Sequence, residues 1–246
     1  MSERIAIVVA MEREVRPLVK GWEQLSIRGL PAWKSGATVV VCGGIGSQPA
    51  RLAAESVVAM HHPTRLISAG FAGSLEEDLN PPDVVFASRV LDAVSKLVFT
   101  CDGFNERDAE PEHKQVTLLT VGSIAEVLSK QEMARQFAAQ IVDMEAAAVA
   151  EVAVRNGIRF HAIKAISEGL HFPLPPIQPF VSPTGGFRTG LFLFHIAFRP
   201  HFWGPVRQLK RTTSWAAKEL CRSLDATCRN IGALQALSAA TQGIGR

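Results

Sequence analysis

Several features that would indicate other classes of protein are missing from this chain of 246 residues. Its four cysteines are widely separated, form no CxxC pair and lie in no Cys/His cluster with zinc spacing, so we expect reduced thiols and no metal site. No stretch reaches the roughly 18 apolar residues of a membrane-spanning helix. The short apolar run near the N-terminus has acids close behind it, which predicts a buried strand and no secretory signal. These absences favour a cytoplasmic protein.

The chain also has little net positive charge, and the basic excess is confined to one segment. The formal net charge is +3. Residues 199–229 hold seven Lys/Arg and two acids, which leaves 19 bases and 21 acids in the rest of the chain. Because the body of the chain is not basic and carries no known nucleic-acid-binding motif, we expect no nucleic-acid partner.

Short apolar runs alternate with helical patterns along most of the chain. The patterns predict strands at 5–10, 38–42, 65–70, 83–90, 116–120 and 159–166, and helices at 12–20, 47–61, 124–138, 144–156 and about 205–232. Nearly continuous apolar strands indicate a sheet that is covered on both faces. The sequence therefore predicts an α/β fold, a single domain over residues 1–246, with a mixed twisted sheet flanked by helices in three layers.

The regular alternation stops at about residue 170. Prolines and aromatic residues crowd 170–204, which excludes one continuous helix or strand, yet the segment is too apolar for a disordered linker. We expect an extended loop, a short helix over about 187–198, and then the basic helix. Residues 170–232 are thus predicted to be a proline/aromatic and basic C-terminal extension of the same domain.

Four places at the predicted carboxyl ends of strands carry residues suited to ligand binding, because open α/β sheets bind ligands at that edge. They are AMERE (10–14), CGGIGS (42–47), SAGFAGSL (68–75), and DMEA (143–146) together with KAISEG (164–169). In the first, Glu14 could hold or deprotonate a water molecule, but the motif taken alone favours an exposed first helical turn. The two glycine segments could present backbone N–H groups to a ligand, or they could be ordinary tight turns.

The acidic pair Asp143 and Glu145 allows two interpretations. As helix chemistry, Asp143 caps a helix and Glu145 lies in its first turn, where the helix dipole favours negative charge. As ligand chemistry, the two oxygens of Glu145 suit the 2′- and 3′-hydroxyls of a ribose, and Glu168 could donate or accept a hydrogen bond. The residues alone leave both interpretations open.

In order and spacing, the strand followed by AMExE, then GGIG, SAGFAG, VDMEAAA and KAISE resembles the purine-nucleoside and uridine phosphorylase superfamily. Within it, the chain is most similar to the methylthioadenosine/S-adenosylhomocysteine nucleosidases, over about residues 4–169. The resemblance implies that Glu14 binds the attacking water. It implies that Glu168 protonates or hydrogen-bonds N7 of the departing adenine, and that Met144 and Glu145 hold the ribose.

The same resemblance places small residues around the site and shows two departures. Ala72 and Gly73 match lining positions, and the predicted substrate-binding set is completed by Phe71, Ser167 and Gly44. Glu168 stands where the family has aspartate, and Phe71 where the nucleosidases usually have serine. Superfamily phosphorylases bring arginines to phosphate, and the only candidates are Arg13, Arg51 and Arg89. We therefore favour water over inorganic phosphate as co-substrate, with no cofactor.

After residue 170 the chain resembles the hopanoid-associated phosphorylase-like proteins. This implies cleavage of adenosylhopane, an adenine nucleoside with a lipidic 5′ substituent, to adenine plus ribosylhopane or phosphoribosylhopane. It also implies peripheral contact with the inner face of the membrane and a lipid channel whose candidate residues are Phe172, Phe180, Phe187 and Phe192. The resemblance to the superfamily as a whole implies a homodimer. Packing on the sheet or in a dimer contact explains the same apolar residues. A methylthioadenosine/S-adenosylhomocysteine nucleosidase and a non-catalytic nucleoside-binding or membrane-associated module remain the alternatives.

Overall fold

The computed structural model describes residues 3–102, 115–122, 130–172, 178–182, 185–186 and 202–243, with side chains to Ile231 in the last helix. Within these ranges the strands are β1 (Ile5–Val9), β2 (Glu23–Ile27), β3 (Leu30–Ser35), β4 (Thr38–Cys42), β5 (Arg65–Ser74), β6 (Val84–Asp92), β7 (Val98–Thr100), β8 (Gln115–Thr120), β9 (Ile141–Asp143) and β10 (Arg159–Glu168). The helices are α1 (Glu12–Val15), α2 (Ser47–His61), α3 (Lys130–Phe137), α4 (Ala146–Arg155) and α5 (Trp203–Gly243), with a 3₁₀ turn at Gln178–Phe180.

The strands form one mixed sheet in the order β10-β6-β8-β9-β5-β1-β4-β3-β2, with β7 paired to β6. In addition β10 pairs with β5 in parallel, so that β5, β10, β6, β8 and β9 close a ring. The predicted mixed sheet is confirmed, whereas the ring was not anticipated. It brings the carboxyl ends of β5, β9 and β10 to one place.

Helices cover the two faces of the sheet because the strands are apolar on both sides. Along β1, Ala6 and Val8 pack in a cluster with the alanine-rich faces of α2 and α4. Ile5 and Ile7 point the other way, into a cluster that includes Leu220 from α5. The sheet is therefore the middle of three layers, as predicted, and its hydrophobic core lies on both faces.

All six predicted strands are present, with ends shifted by up to four residues. The sequence analysis missed β2, β3, β7 and β9, which are either short or lie toward an edge of the sheet with partly exposed side chains. The helix predicted over 12–20 begins at Glu12 as expected but ends at Val15, because Pro17 has no N–H to donate to the carbonyl of residue 13 and so cannot continue the helix. The short helix expected over 187–198 lies outside the described residues.

Two further helix predictions need correction at their ends. The helix expected at 144–156 begins at Ala146, so Glu145 precedes it and does not lie in its first turn. The basic C-terminal helix extends from Trp203 to Gly243, beyond the predicted end. Among the described residues, no helix is long and apolar enough to cross a membrane.

Candidate functional site

Glu14 is buried directly after the central strand, with 2% of its surface exposed. Its Oε2 accepts hydrogen bonds from the backbone N–H groups of Ala10 (3.0 Å) and Met11 (2.9 Å), and its Oε1 accepts one from Phe71 (3.3 Å). A β-carbon at Gly70 would lie 3.2 Å from both carboxylate oxygens, so the bare glycine makes room for this side chain. A carboxylate has about four lone-pair sites, so Oε1 keeps acceptor capacity for one more donor.

Glu145 is half-buried at the start of α4, and its carboxylate turns away from the helix. Oε1 accepts a hydrogen bond from the Gly46 N–H (2.8 Å), and Oε2 accepts one from the Met144 N–H (3.3 Å). The neighbouring glycine, Gly44, donates its own N–H to the Ala10 carbonyl (3.1 Å). The glycine turn 43–46 therefore holds Glu145 through the N–H of Gly46, whereas the N–H of Gly44 is already bonded to Ala10.

The helix-capping role falls to Asp143. Its Oδ2 accepts a hydrogen bond from the first helical N–H, that of Ala146 (3.0 Å), and its Oδ1 accepts one from the Thr120 hydroxyl (2.7 Å). Asp143 is fully buried and forms an ion pair with Lys164 (2.9 Å), whose ammonium also donates to Ser68 Oγ (3.1 Å). The two interpretations of the acidic pair are thus divided between its members: Asp143 caps α4, and Glu145 is free of that task.

Glu168 ends β10 with 8% of its surface exposed. The Ser167 hydroxyl donates to its Oε2, and the Lys130 ammonium lies 3.5 Å from its Oε1. On the paired strand β5, a β-carbon at Gly73 would lie 2.4 Å from Oε1. The carboxyl group therefore occupies the space that glycine leaves.

Strand β5 is the element that brings these groups together. Phe71 contacts Glu14 through its amide, while its half-buried side chain packs into the cluster on the α5 face. Ala72 is buried in the opposite cluster, and its carbonyl lies 3.3 Å from the Ser167 hydroxyl. Glu14 and Glu168 thus lie against residues 70–73 of β5, and Glu145 is near enough to Glu14 for the two carboxylates to interact electrostatically.

Burial sets the protonation of two of these acids. It raises the pKa of Glu14 from its ordinary value, against the opposing effect of the Met11 N–H and the Lys164 cation. It raises the pKa of Glu145 to about 7, and the neighbouring Asp143 carboxylate adds to the rise, while Lys164 opposes it. Burial would lower the pKa of Lys164, but the surrounding acids outweigh it and the pKa is raised, so the lysine stays a cation.

Lys164 and Lys130 are the charged residues that the sequence analysis assigned no role. Lys164 had a signal, because a lone lysine in the apolar strand KAIS needs a buried counter-charge, and VDME supplies one. Lys130 had none: it lies 38 residues before Glu168 at the start of a polar helix. Its ammonium also donates a hydrogen bond to the Gly169 carbonyl (2.9 Å).

The arginines considered for phosphate are occupied or exposed. Arg51 pairs with Glu151 (2.6 Å), Arg89 donates to the Thr117 hydroxyl (2.9 Å), and Arg13 is exposed on α1. Within the part of the chain that is described, no group of three or more His, Cys, Asp or Glu side chains is arranged to hold a metal ion.

The candidate channel residues are only partly described. Phe180 is buried (7% exposed) and Phe172 is half-buried, whereas Phe187 and Phe192 lie outside the described residues. Near Phe180, the Gly185 carbonyl accepts a hydrogen bond from the Ile45 N–H (2.9 Å). The proline/aromatic segment therefore returns to the glycine turn that holds Glu145.

A family model described as the phosphorylase superfamily matches residues 4–123 and 97–173 in two overlapping parts. No curated protein sequence matches the chain closely enough to count as a relative.

Solved structures match the fold over nearly the whole chain. The apo 5′-methylthioadenosine nucleosidase of Arabidopsis thaliana has a TM-score of 0.73 and 19% identity, and the match covers 93% of this chain and 96% of that one. The 5′-methylthioadenosine/S-adenosylhomocysteine nucleosidase of Neisseria meningitidis, in complex with methylthio-immucillin-A, has a TM-score of 0.67 and 18% identity over 92% and 99%. Futalosine hydrolase of Helicobacter pylori has a TM-score of 0.62 and 19% identity, and the match covers 91% of this chain and 97% of that one. The TM-scores establish a shared fold.

Proposed function

Because this chain belongs to the phosphorylase superfamily, we propose that it hydrolyses the N-ribosyl bond of an adenine nucleoside that carries a lipidic 5′ substituent, with adenosylhopane as the substrate. The observation that carries the proposal is that Glu14 and Glu168 lie against residues 70–73 of β5, with Glu145 within electrostatic range of Glu14. Solved structures of similar fold are named as nucleosidases, which supports cleavage of an N-ribosyl bond.

Each acid has a separate task in this reaction. A water molecule on Glu14 adds its oxygen to C1′ of the ribose and gives its proton to the carboxylate. The C1′–N9 bonding electrons leave with the adenine, which takes a proton at N7 from the carboxyl group of Glu168. Glu145 accepts hydrogen bonds from the ribose hydroxyls and stabilises the positive charge that develops on the sugar.

Water suits this site better than phosphate. Three backbone N–H groups hold Glu14 without using all its acceptor capacity, which matches a bound water. A carboxylate at that position repels a phosphate anion, and Arg51 and Arg89 already have partners.

The lipidic substituent is supported by the segment after β10. The Gly185 carbonyl accepts a hydrogen bond from the Ile45 N–H, so this part of the segment lies beside the glycine turn 43–46 that holds Glu145, and Phe180, five residues earlier in the sequence, is buried. A nucleoside bound through Glu145 would direct its 5′ carbon toward this apolar segment. Among solved structures of similar fold, a nucleosidase of Helicobacter pylori holds butyl-thio-DADMe-Immucillin-A, whose name includes a butylthio group, which supports an alkyl substituent on the ligand.

A cationic stripe on the outer face of α5 supports contact with a membrane. At intervals of three or four residues the helix exposes Trp203, Arg207, Arg211, Trp215, Lys218 and Arg222. The two tryptophans are half exposed and lie about 18 Å apart along the helix. Tryptophans flanking cations match an anionic bilayer surface, where a lipid nucleoside would reside.

The test is release of free adenine. Purified protein is incubated with adenosylhopane, methylthioadenosine and S-adenosylhomocysteine, with and without phosphate, beside a Glu14→Gln control. We expect phosphate-independent release from adenosylhopane and at least 100-fold slower release by the variant. Release from the small thioethers alone would establish the methylthioadenosine/S-adenosylhomocysteine nucleosidase instead. No release from any substrate would favour a non-catalytic binding module.

A further inference from the structure

The head of Glu168 is held from two sides. Ser167 donates a hydrogen bond to Oε2, and the Lys130 ammonium faces Oε1 at 3.5 Å. Gly73 provides room for the head, since a β-carbon there would overlap Oε1. Of Ser167, Lys130 and Gly73, only Lys130 makes an attractive contact with Oε1, so Lys130 fixes the direction of this oxygen.

Lys130 reaches this position from a separate element. It is the first described residue of α3, and its ammonium donates to the Gly169 carbonyl (2.9 Å), directly after β10. The side chains of Lys130 and Glu168 are 14% and 9% exposed, so the pair is shielded from water. Burial lowers the pKa of Lys130, partly offset by the Glu168 carboxylate, which shows that its placement has a desolvation cost.

Glu168 has one methylene more than the aspartate of the related nucleosidases, and this extra length makes such support necessary. Glutamate has one more rotatable bond than aspartate, so its carboxyl group samples more directions at a given backbone position. A misplacement of about 1 Å at a catalytic group is enough to slow a reaction by about 100-fold. Two contacts from Lys130, one to the backbone and one to the carboxyl group, restrict that motion.

We propose that Lys130 is a positioning residue that directs the Glu168 carboxyl group at N7 of the adenine. The inference rests on the proposed function, because N7 is the atom that Glu168 would contact. Lys130 itself does not touch the substrate. Its effect is therefore specific to the N7 contact and leaves the ribose contacts of Glu145 unchanged.

The experiment measures binding of adenine and 7-deazaadenine, which lacks the N7 acceptor, by calorimetry. The wild-type protein is expected to prefer adenine by about 5- to 10-fold, since the protonated carboxyl group of Glu168 donates a hydrogen bond to N7 and a neutral hydrogen bond contributes about that much. Lys130→Met should reduce the preference to about 2-fold or less. Lys130→Arg should restore most of it, and Lys20→Met, an exposed control, should leave it unchanged.

Each outcome is decisive. If Lys130→Met weakens both ligands equally and keeps the preference, Lys130 is only structural and the inference is wrong. If wild-type protein binds both bases equally, Glu168 does not contact N7 and the inference is also wrong. A wild-type protein that binds neither base would refute the adenine site itself and thus the proposed function. The kinetic counterpart in an active protein is a lower kcat for Lys130→Met at nearly unchanged KM.

Discussion

The Lys164 ammonium lies 2.9 Å from the Asp143 carboxylate, and their side chains are 1% and 0% exposed. This buried pair joins β10 to the start of α4, and its cation also acts on Glu14 and Glu145. The pair is therefore a structural link, and its lysine opposes the rise in the pKa of Glu14 and Glu145 that burial causes.

Replacing Lys164 with methionine should lower the free energy of unfolding by about 3–5 kcal/mol, because Asp143 is left as an unpaired buried charge. Urea denaturation at pH 7 measures this change. The double variant Lys164→Met/Asp143→Asn should lose less than the single variant, since asparagine can still accept the Ala146 N–H without a charge. A single variant within 1 kcal/mol of wild type would contradict this account.

Glu145→Gln should separate activity from stability. The folded protein holds a proton on Glu145 up to a pH of about 7, whereas the unfolded chain releases it near 4.5. The stability contributed by this group is thus present below about pH 4.5 and is lost as pH rises through about 7. At pH 8 the variant should be more stable than wild type by about 1 kcal/mol, a figure reduced for the partial exposure of Glu145.

The same variant should release adenine about 100-fold or more slowly, because a neutral amide stabilises the ribosyl cation poorly. In wild type, kcat/KM should fall as pH drops through about 7, where Glu145 takes up its proton. Thermal melts from pH 5 to 8 and a pH–rate profile check both expectations, with the exposed Glu12→Gln as control. A melting profile identical to wild type would disprove the raised pKa as the source of the effect.

Gly73→Ala should damage activity more than stability. Its β-carbon would displace the Glu168 carboxyl group, which is the end of a flexible side chain and can move. We expect adenine release to fall by about 100-fold with less than about 1 kcal/mol lost in stability.

Gly43→Ala provides the opposite pattern. Its β-carbon would meet Ala53 Cβ at 2.7 Å and the Pro49 carbonyl at 2.9 Å, where α2 approaches the turn after β4. It should cost about 2 kcal/mol of stability. Gly204→Ala, with open space around its β-carbon, is the neutral control for both. If Gly73→Ala instead lost as much stability as Gly43→Ala, the Glu168 side chain would be unable to move away from the new β-carbon.

The cationic stripe on α5 should bind anionic vesicles. Flotation with phosphatidylglycerol/phosphatidylcholine vesicles is compared with phosphatidylcholine alone. Arg207→Glu/Arg211→Glu should weaken binding about 100-fold or more, since each basic residue contributes about 1 kcal/mol and reversal adds repulsion. Trp215→Ser should weaken it less.

Charge reversal elsewhere, in Lys34→Glu/Arg155→Glu, should have little effect on vesicle binding, and adding salt should release the wild-type protein. If the stripe variants bind vesicles as wild type does but lose affinity for duplex DNA, the surface recognises nucleic acid. The membrane assignment would then be withdrawn.

The sequence predicted the fold well where its signal was physical burial. Continuous apolar runs such as IAIVV and TVVVC had to be covered strands, and they are. Strands β2 and β3 were missed because polar side chains interrupt their apolar pattern at one edge of the sheet. The closure of the ring depends on β10 pairing with both β5 and β6, which no local pattern encodes.

The acids of the candidate site could be named from the sequence because each lies at or after the end of a strand and the family spacing singles them out. Their partners were not. Gly46 binds Glu145 and Lys130 contacts Glu168 across 99 and 38 residues of sequence, so only the folded chain brings these groups into contact.

The two sides of α5 also limit how substrate preference can be exchanged between proteins of this fold. Its inner side fills one layer of the core with Ala216, Leu220 and Leu224, and the Cys221 thiol touches the carbonyl of Glu14 (3.4 Å). A chimera made by cutting at residue 170 would remove this wall and expose the back of the water-binding acid. A successful graft should keep the inward residues of the helix and exchange only the outward ones, so that recognition changes while the chemistry stays in place.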